Sequence, residues 1–213
     1  MTETQEQDAA GSAPGTVNGY RIVVPNEWQK IPVRRGTDKA IKNILDRAFA
    51  HFGRDEVAQW RRELEARLKK VVKEARSNAG VDMYIPLGQR ERNLPASFMI
   101  SFVEFGSGNA PRKEDVLSEV GTSTSGAVPV TIDGTTGLRT MRDHPADPKR
   151  GTDYASRRIE YVLPVPGSVD SWLVASFSTF GGSRPDDHLA RLLSGLFDAI
   201  MGTFRWQYQE ETA

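Results

Sequence analysis

Ser97-Phe-Met-Ile-Ser-Phe-Val-Glu-Phe105 places Phe98, Ile100 and Phe102 on one face of an extended chain, and Met99, Val103 and Phe105 on the other. Successive side chains of a strand point to opposite sides. A strand that is apolar on both sides must therefore be covered on both. The stretch predicts an interior strand of a sheet held between two helical layers, and the rest of the chain is read outward from it.

Upstream, Val81 to Pro86 reads as a short strand, and before it stand two amphipathic helices. Thr37 is expected to cap the first, which carries Ile41, Ile44, Leu45, Ala48, Phe49 and Phe52 on one stripe and stops at Gly53. The second opens at Asp55-Glu56 and runs to about Arg76. Val57, Trp60, Leu64, Leu68, Val71 and Ala75 step along it by 3, 4, 4, 3 and 4, the spacing of one helical face. Acids lead this helix and Lys69, Lys70, Lys73 and Arg76 close it, which complements the macrodipole. Together the two form a helical hairpin over 37–77, expected to lie between the first and second strands.

Downstream, Val128–Asp133 and Gly137–Arg142 bracket Asp133-Gly134, a hairpin signal. Arg157–Pro166 and Ser171–Thr179 form another hairpin through Gly167-Ser-Val-Asp170. From Pro185 to Gly202 the residues Leu189, Leu192, Leu193, Leu196, Phe197, Ile200 and Met201 mark a helix laid on a sheet. Asp186 and Asp187 suit its N-terminus, with Ser183 three residues before Asp186 as a capping-box variant. Phe204, Trp206 and Tyr208 then alternate as a final edge strand. Hairpins rather than repeated βαβ units join these strands. The expected class is α+β: a mostly antiparallel sheet sandwiched by helices, an α/β/α sandwich.

Two segments match one another: Tyr20-Arg-Ile-Val-Val-Pro25 followed by Trp28, and Tyr161-Val-Leu-Pro-Val-Pro166 followed by Trp172. Each reads as a strand that leaves the sheet at a proline-marked turn. With Trp172-Leu-Val-Ala-Ser-Phe-Ser-Thr179 and the Phe204-Arg-Trp206 end, they resemble the Mog1/PsbP-like fold, whose bacterial relatives include LpqN- and DcrB-type proteins. The similarity covers the first strand and the last third of the chain. The hairpin at 37–77 departs from the minimal fold as an insertion. The resemblance implies a binding or assembly role without a shared active site.

Composition narrows the classes. The 213 residues are long enough for one domain that needs no staple. They divide into an acidic tail over 1–16, expected to be disordered, and a single domain over 17–213. The absence of cysteine removes disulfides, thiolate nucleophiles and cysteine-ligated metals. Lys+Arg and Asp+Glu both number 28, so no net field recruits nucleic acid or anionic lipid. Met1–Pro14 has neither a basic nor an apolar segment of a secretory signal, and no run of about 18 apolar residues suggests a membrane span. The expected setting is the cytoplasm.

No catalytic set assembles. Gly106-Ser-Gly-Asn-Ala-Pro111 has Pro111 where a dinucleotide fingerprint needs Gly or Ala, and no Gly-Lys-Ser/Thr follows. Asp143, His144 and Asp147 sit in a proline-bounded loop. An unfamiliar enzyme would need them to converge with Arg139. A ligand carrier would need a pocket between sheet and hairpin lined by Phe98, Phe102, Trp60 and Leu64. The feature with most functional weight is the hairpin itself. Residues 34–76 hold thirteen Lys and Arg against seven Asp and Glu, a local excess of +6. Pairs such as Glu63–Arg67, Glu65–Lys69 and Lys70–Glu74 fit a solvated face. No aromatics interleave the charges as single-stranded nucleic acid requires. The expected function is a non-enzymatic accessory or protein-interaction module, with no cofactor or metal. It binds another protein through Arg61, Arg62, Lys69, Lys70 and Trp60, and the small-ligand carrier is the alternative.

Overall fold

A computed structural model describes residues 15–87, 94–104, 112–123, 126–146, 154–180 and 184–209. In chain order the elements are β1 (Val17–Arg21), β2 (Trp28–Pro32), α1 (Thr37–Ala48), α2 (Arg54–Ser77), β3 (Gly80–Pro86), β4 (Ala96–Glu104) and α3 (Lys113–Ser123). There follow β5 (Val128–Ile132), β6 (Thr135–His144), β7 (Ser156–Pro164), β8 (Ser171–Phe180), α4 (His188–Gly202) and β9 (Arg205–Tyr208). Seven strands form one antiparallel sheet in the order β2-β3-β4-β8-β7-β6-β5. The fold is α+β, with helices on both faces of this sheet.

The double-sided strand works as its alternation requires. Phe98 and Ile100 of β4 face a cluster that holds Tyr84, Ile159, Tyr161, Leu173 and Phe177 beneath α4. Met99, next in sequence, packs with the opposite cluster, where Ile31, Val33 and Met83 meet Ile41, Leu45, Leu68 and Val72 of the hairpin. Glycine is required where β6 begins to pair with β7. A Cβ at Gly137 would collide with the Val162 carbonyl oxygen and come 2.6 Å from Leu163 Cδ2. Asp133 and Gly134 both have positive φ, 47° and 74°, as a two-residue turn with right-handed strand twist demands.

The ends of the chain depart from the expected arrangement. β1 and β9 do not join the main sheet; they pair with each other as a separate two-stranded ribbon. Tyr20 stacks on Phe204, and Trp206, its partner across the ribbon, donates through Nε1 to Thr135 Oγ1 and through its backbone N–H to Asp133. The ribbon thus extends the α4 layer. The turn at Pro25, whose carbonyl accepts from Trp28 N–H, leads straight into β2, an edge strand that the sequence reading lacked. Five residues with two polar ones and flanking prolines give too little periodicity to find it.

Helix ends also differ. Gly36, at φ 80°, holds the N-cap position of α1, while Thr37 Oγ1 donates to the Pro32 carbonyl instead of capping. α1 stops at Ala48, before Gly53. At α4 the cap is Asp187, whose Oδ1 accepts from Ala190 N–H at 2.7 Å; Asp186 pairs with Arg184. Replacing Asp187 with Ala is expected to cost about 1 kcal/mol, read as a lowered urea midpoint at unchanged m-value. The stretches at 1–14, 106–111, 147 and 183 lie outside the described residues.

Candidate functional site

α2 is longer than β3, the strand it packs on. Its 24 residues span about 36 Å at 1.5 Å per residue, whereas the seven residues of β3 cover only about 23 Å. The C-terminal half of α2 is therefore seated, with Leu68, Val72 and Ala75 buried against Met83 and α1. The N-terminal half is covered less completely: Val57 is buried, Leu64 is partly buried against the same cluster, and Arg61 pairs with Asp46 of α1.

That thinner cover leaves Trp60 68% exposed and Phe52 42% exposed. With Phe49, Val57 and Leu64 they line an apolar groove of about 500 Å³. Phe49 and Phe52 meet edge to face at 6.3 Å and form its closed end. Glu56, Glu63 and Arg67 edge it. Val71, about 20° around the helix axis from Trp60 at roughly 100° per residue, is also exposed and carries the apolar line toward a smaller depression of about 290 Å³. Monomeric surfaces seldom present such contiguous apolar area without a role.

The face of α2 that is buried is thus not the one spaced by Trp60 and Val71. Val57, Leu68, Val72 and Ala75 are buried, and Trp60 and Val71 flank them on one side. The other three tryptophans, Trp28, Trp172 and Trp206, are all core residues.

The five residues singled out from the sequence do not share a surface. Arg61 turns to the opposite flank and pairs with Asp46 of α1 at 2.6 Å. Arg62 and Lys69 point away from the protein; Arg62 Nε donates to its own helix at Ala58, and Lys69 pairs with Glu65 at 2.7 Å. That pair holds the Glu65 carboxyl below its ordinary range and the Lys69 ammonium above it. Lys70 is exposed near the rim, and only Trp60 lies in the groove. Glu63 accepts from Gln59 Nε2 at 3.0 Å.

Other candidates separate. Arg139 forms a two-pronged pair with Asp198 of α4, which also accepts from Tyr161, whereas Asp143 is held by both guanidinium nitrogens of Arg157. Arg139 and Asp143 therefore serve two different ties, His144 is exposed, and Asp147 is not among the described residues. No group of three or more His, Asp or Glu side chains among the described residues is placed to hold a metal ion. Phe98 and Phe102 face the α4 layer, across the sheet from Trp60 and Leu64, so the four cannot line one pocket.

One polar cluster escaped sequence reading. Asp82 is only 5% exposed, accepts from Tyr20 Oη at 2.5 Å and pairs with Lys30 at 2.8 Å, while Tyr20 and Tyr84 hydroxyls lie 3.0 Å apart. Burial pushes both phenols up. The cluster is internally satisfied, and it ties the β1–β9 ribbon to the β2–β3 edge. Its only sequence signal was a carboxylate within the apolar run of β3.

Compared with known proteins, the sequence matches no family model and no curated protein. Among the described residues no helix is long and apolar enough to cross a membrane.

Proposed function

We propose that this chain is a non-enzymatic protein-interaction module that holds a partner protein against its helical hairpin. One observation carries the reading: a tryptophan more than two-thirds exposed, inside an apolar groove, on a helix longer than the strand it packs on. Tryptophan is the residue most often found as a binding anchor, because one side chain removes a large apolar area from water. The basic residues of the hairpin act in this proposal as a solvated back that keeps the arm from self-association. The Mog1/PsbP-like resemblance and a bacterial cytoplasmic setting belong to the same proposal. The carrier alternative fits less well. Small-ligand pockets bury most of their ligand, and a groove with one wall this exposed does not.

Trp60→Asp tests the reading. Because the side chain is exposed, the substitution is expected to change stability by no more than about 0.5 kcal/mol, a melting shift within about 2 °C. The wild-type chain should retain a specific protein from its native extract, and the folded Trp60→Asp chain should lose at least nine-tenths of it. Equal retention by both forms, or no specific protein with either, counts against the module.

A further inference from the structure

The edge of the groove has an order that says what lies in it. Along α2 the rim charges run Glu56, Glu63, Arg67, with acid at the helix N-terminal end and base eleven residues on, about 16 Å or three turns away. Neither Glu56 nor Arg67 forms an ion pair among the described residues, so both remain available to a neighbour. The walls are α2 and the turn that joins α1 to it. Among the described residues no strand edge borders the groove, so an occupant gains nothing by adding a β-strand and must bind through side chains.

We propose that the Trp60 groove receives an amphipathic α-helix of a partner protein, lying antiparallel to α2, with acidic residues in its first turns and basic residues in its last. This deepens, and rests on, the interaction reading above. The antiparallel direction follows from two charge requirements that agree. Complementarity sets cations beside Glu56 and Glu63 and an anion beside Arg67. A helix is itself stabilised by acids at its N-terminus and bases at its C-terminus. Only the antiparallel orientation meets both, and it also opposes the two macrodipoles. A parallel helix would need its charges reversed against its own dipole. The apolar face at i, i+3, i+4 and i+7 then packs on Phe52, Trp60 and Leu64.

The test selects binders to the full-length chain from a displayed library of 20-residue helices randomised at apolar and charged positions. Counter-selection uses Trp60→Ala. Trp60 also reports occupancy, because its emission should shift blue and lose acrylamide quenching while the three buried tryptophans stay silent. The expected winners require Trp60, space their apolar residues at i, i+3, i+4 and i+7, and place Asp or Glu first and Lys or Arg last. Glu56→Lys with Glu63→Lys should weaken them at least tenfold, and exchanging their C-terminal Lys for Glu should restore binding. Winners that need Trp60 but show the opposite charge order, or no helical spacing, overturn the antiparallel helix and leave the module standing. Only binders indifferent to Trp60 overturn both. Concentration-dependent protection of Trp60 without any peptide assigns the groove to a second copy and also overturns the partner helix.

Discussion

Above pH 10 the domain should lose stability, and the loss should track the ionisation of the buried Tyr84 and Tyr161 and the half-buried Tyr20. Tyr20, Tyr84 and Tyr161 all have phenols pushed up, chiefly because burial disfavours the phenolate; hydrogen bonding to Asp82 and Asp198 adds to the rise at Tyr20 and Tyr161. A folded pKa above the unfolded value contributes stability that is complete below the unfolded pKa, about 10, and is lost as pH rises above it. Tyr20 and Tyr161, whose phenols are pushed up furthest, keep two protons that the unfolded chain releases. Each such proton changes the unfolding free energy by about 1.4 kcal/mol per pH unit, so the two together approach about 3 kcal/mol per unit. A domain of ordinary stability, about 5–15 kcal/mol, would lose a large part of it by pH 12. Urea titrations between pH 8 and 12 measure the slope, and absorbance at 295 nm counts the phenolates. Tyr20→Phe should flatten the slope by about one proton. A slope that stays near zero to pH 12, with all five tyrosines ionised in the folded chain, would refute the assignment.

Phe197→Ala should be the most damaging single truncation in the α4 layer. Phe197 is 1% exposed, and its ring lies 5.4 Å from Phe98, 5.7 Å from Tyr161 and 4.9 Å from Phe177, so it joins α4 to three strands at once. Deleting it removes apolar burial and leaves a cavity that strands fixed on both sides by neighbours cannot close. The expected cost is about 3–5 kcal/mol, a fall of roughly 10–15 °C in Tm at this chain length. Trp60→Ala, which removes a larger ring, should shift Tm by no more than about 2 °C. The contrast separates anchors of the fold from a residue held in readiness. If the two substitutions cost the same, Trp60 is structural.

The sheet was legible because its signals are local and doubled. β4 announces two covered faces by itself, and Asp133-Gly134 fixes one hairpin through backbone geometry that few residue pairs tolerate. The phase of α2 was not legible. After Leu68 a 3.6-residue period allows either Val71 or Val72 to face inward, and the position of α1 decides for Val72. Trp60 fits the same stripe, yet it stays exposed and lines the groove. Helix length relative to strand length, rather than composition, created the groove. The basic excess was real in sequence, yet its thirteen cations are spread over two helices and the segments that flank them, and three of the four chosen bind within the hairpin itself.

The central claim is that the Trp60 flank of α2, and not its basic back, is where a partner sits. The most direct measurement places the photo-crosslinking residue benzoylphenylalanine singly at positions 60, 62 and 69 of the full-length chain, irradiates each in native extract, and compares adducts by mass. A discrete adduct from position 60, absent from 62 and 69, is the predicted result. Adducts from 62 and 69 with none from 60 would contradict it, returning the binding face to the cations and leaving Trp60 an uncovered side chain.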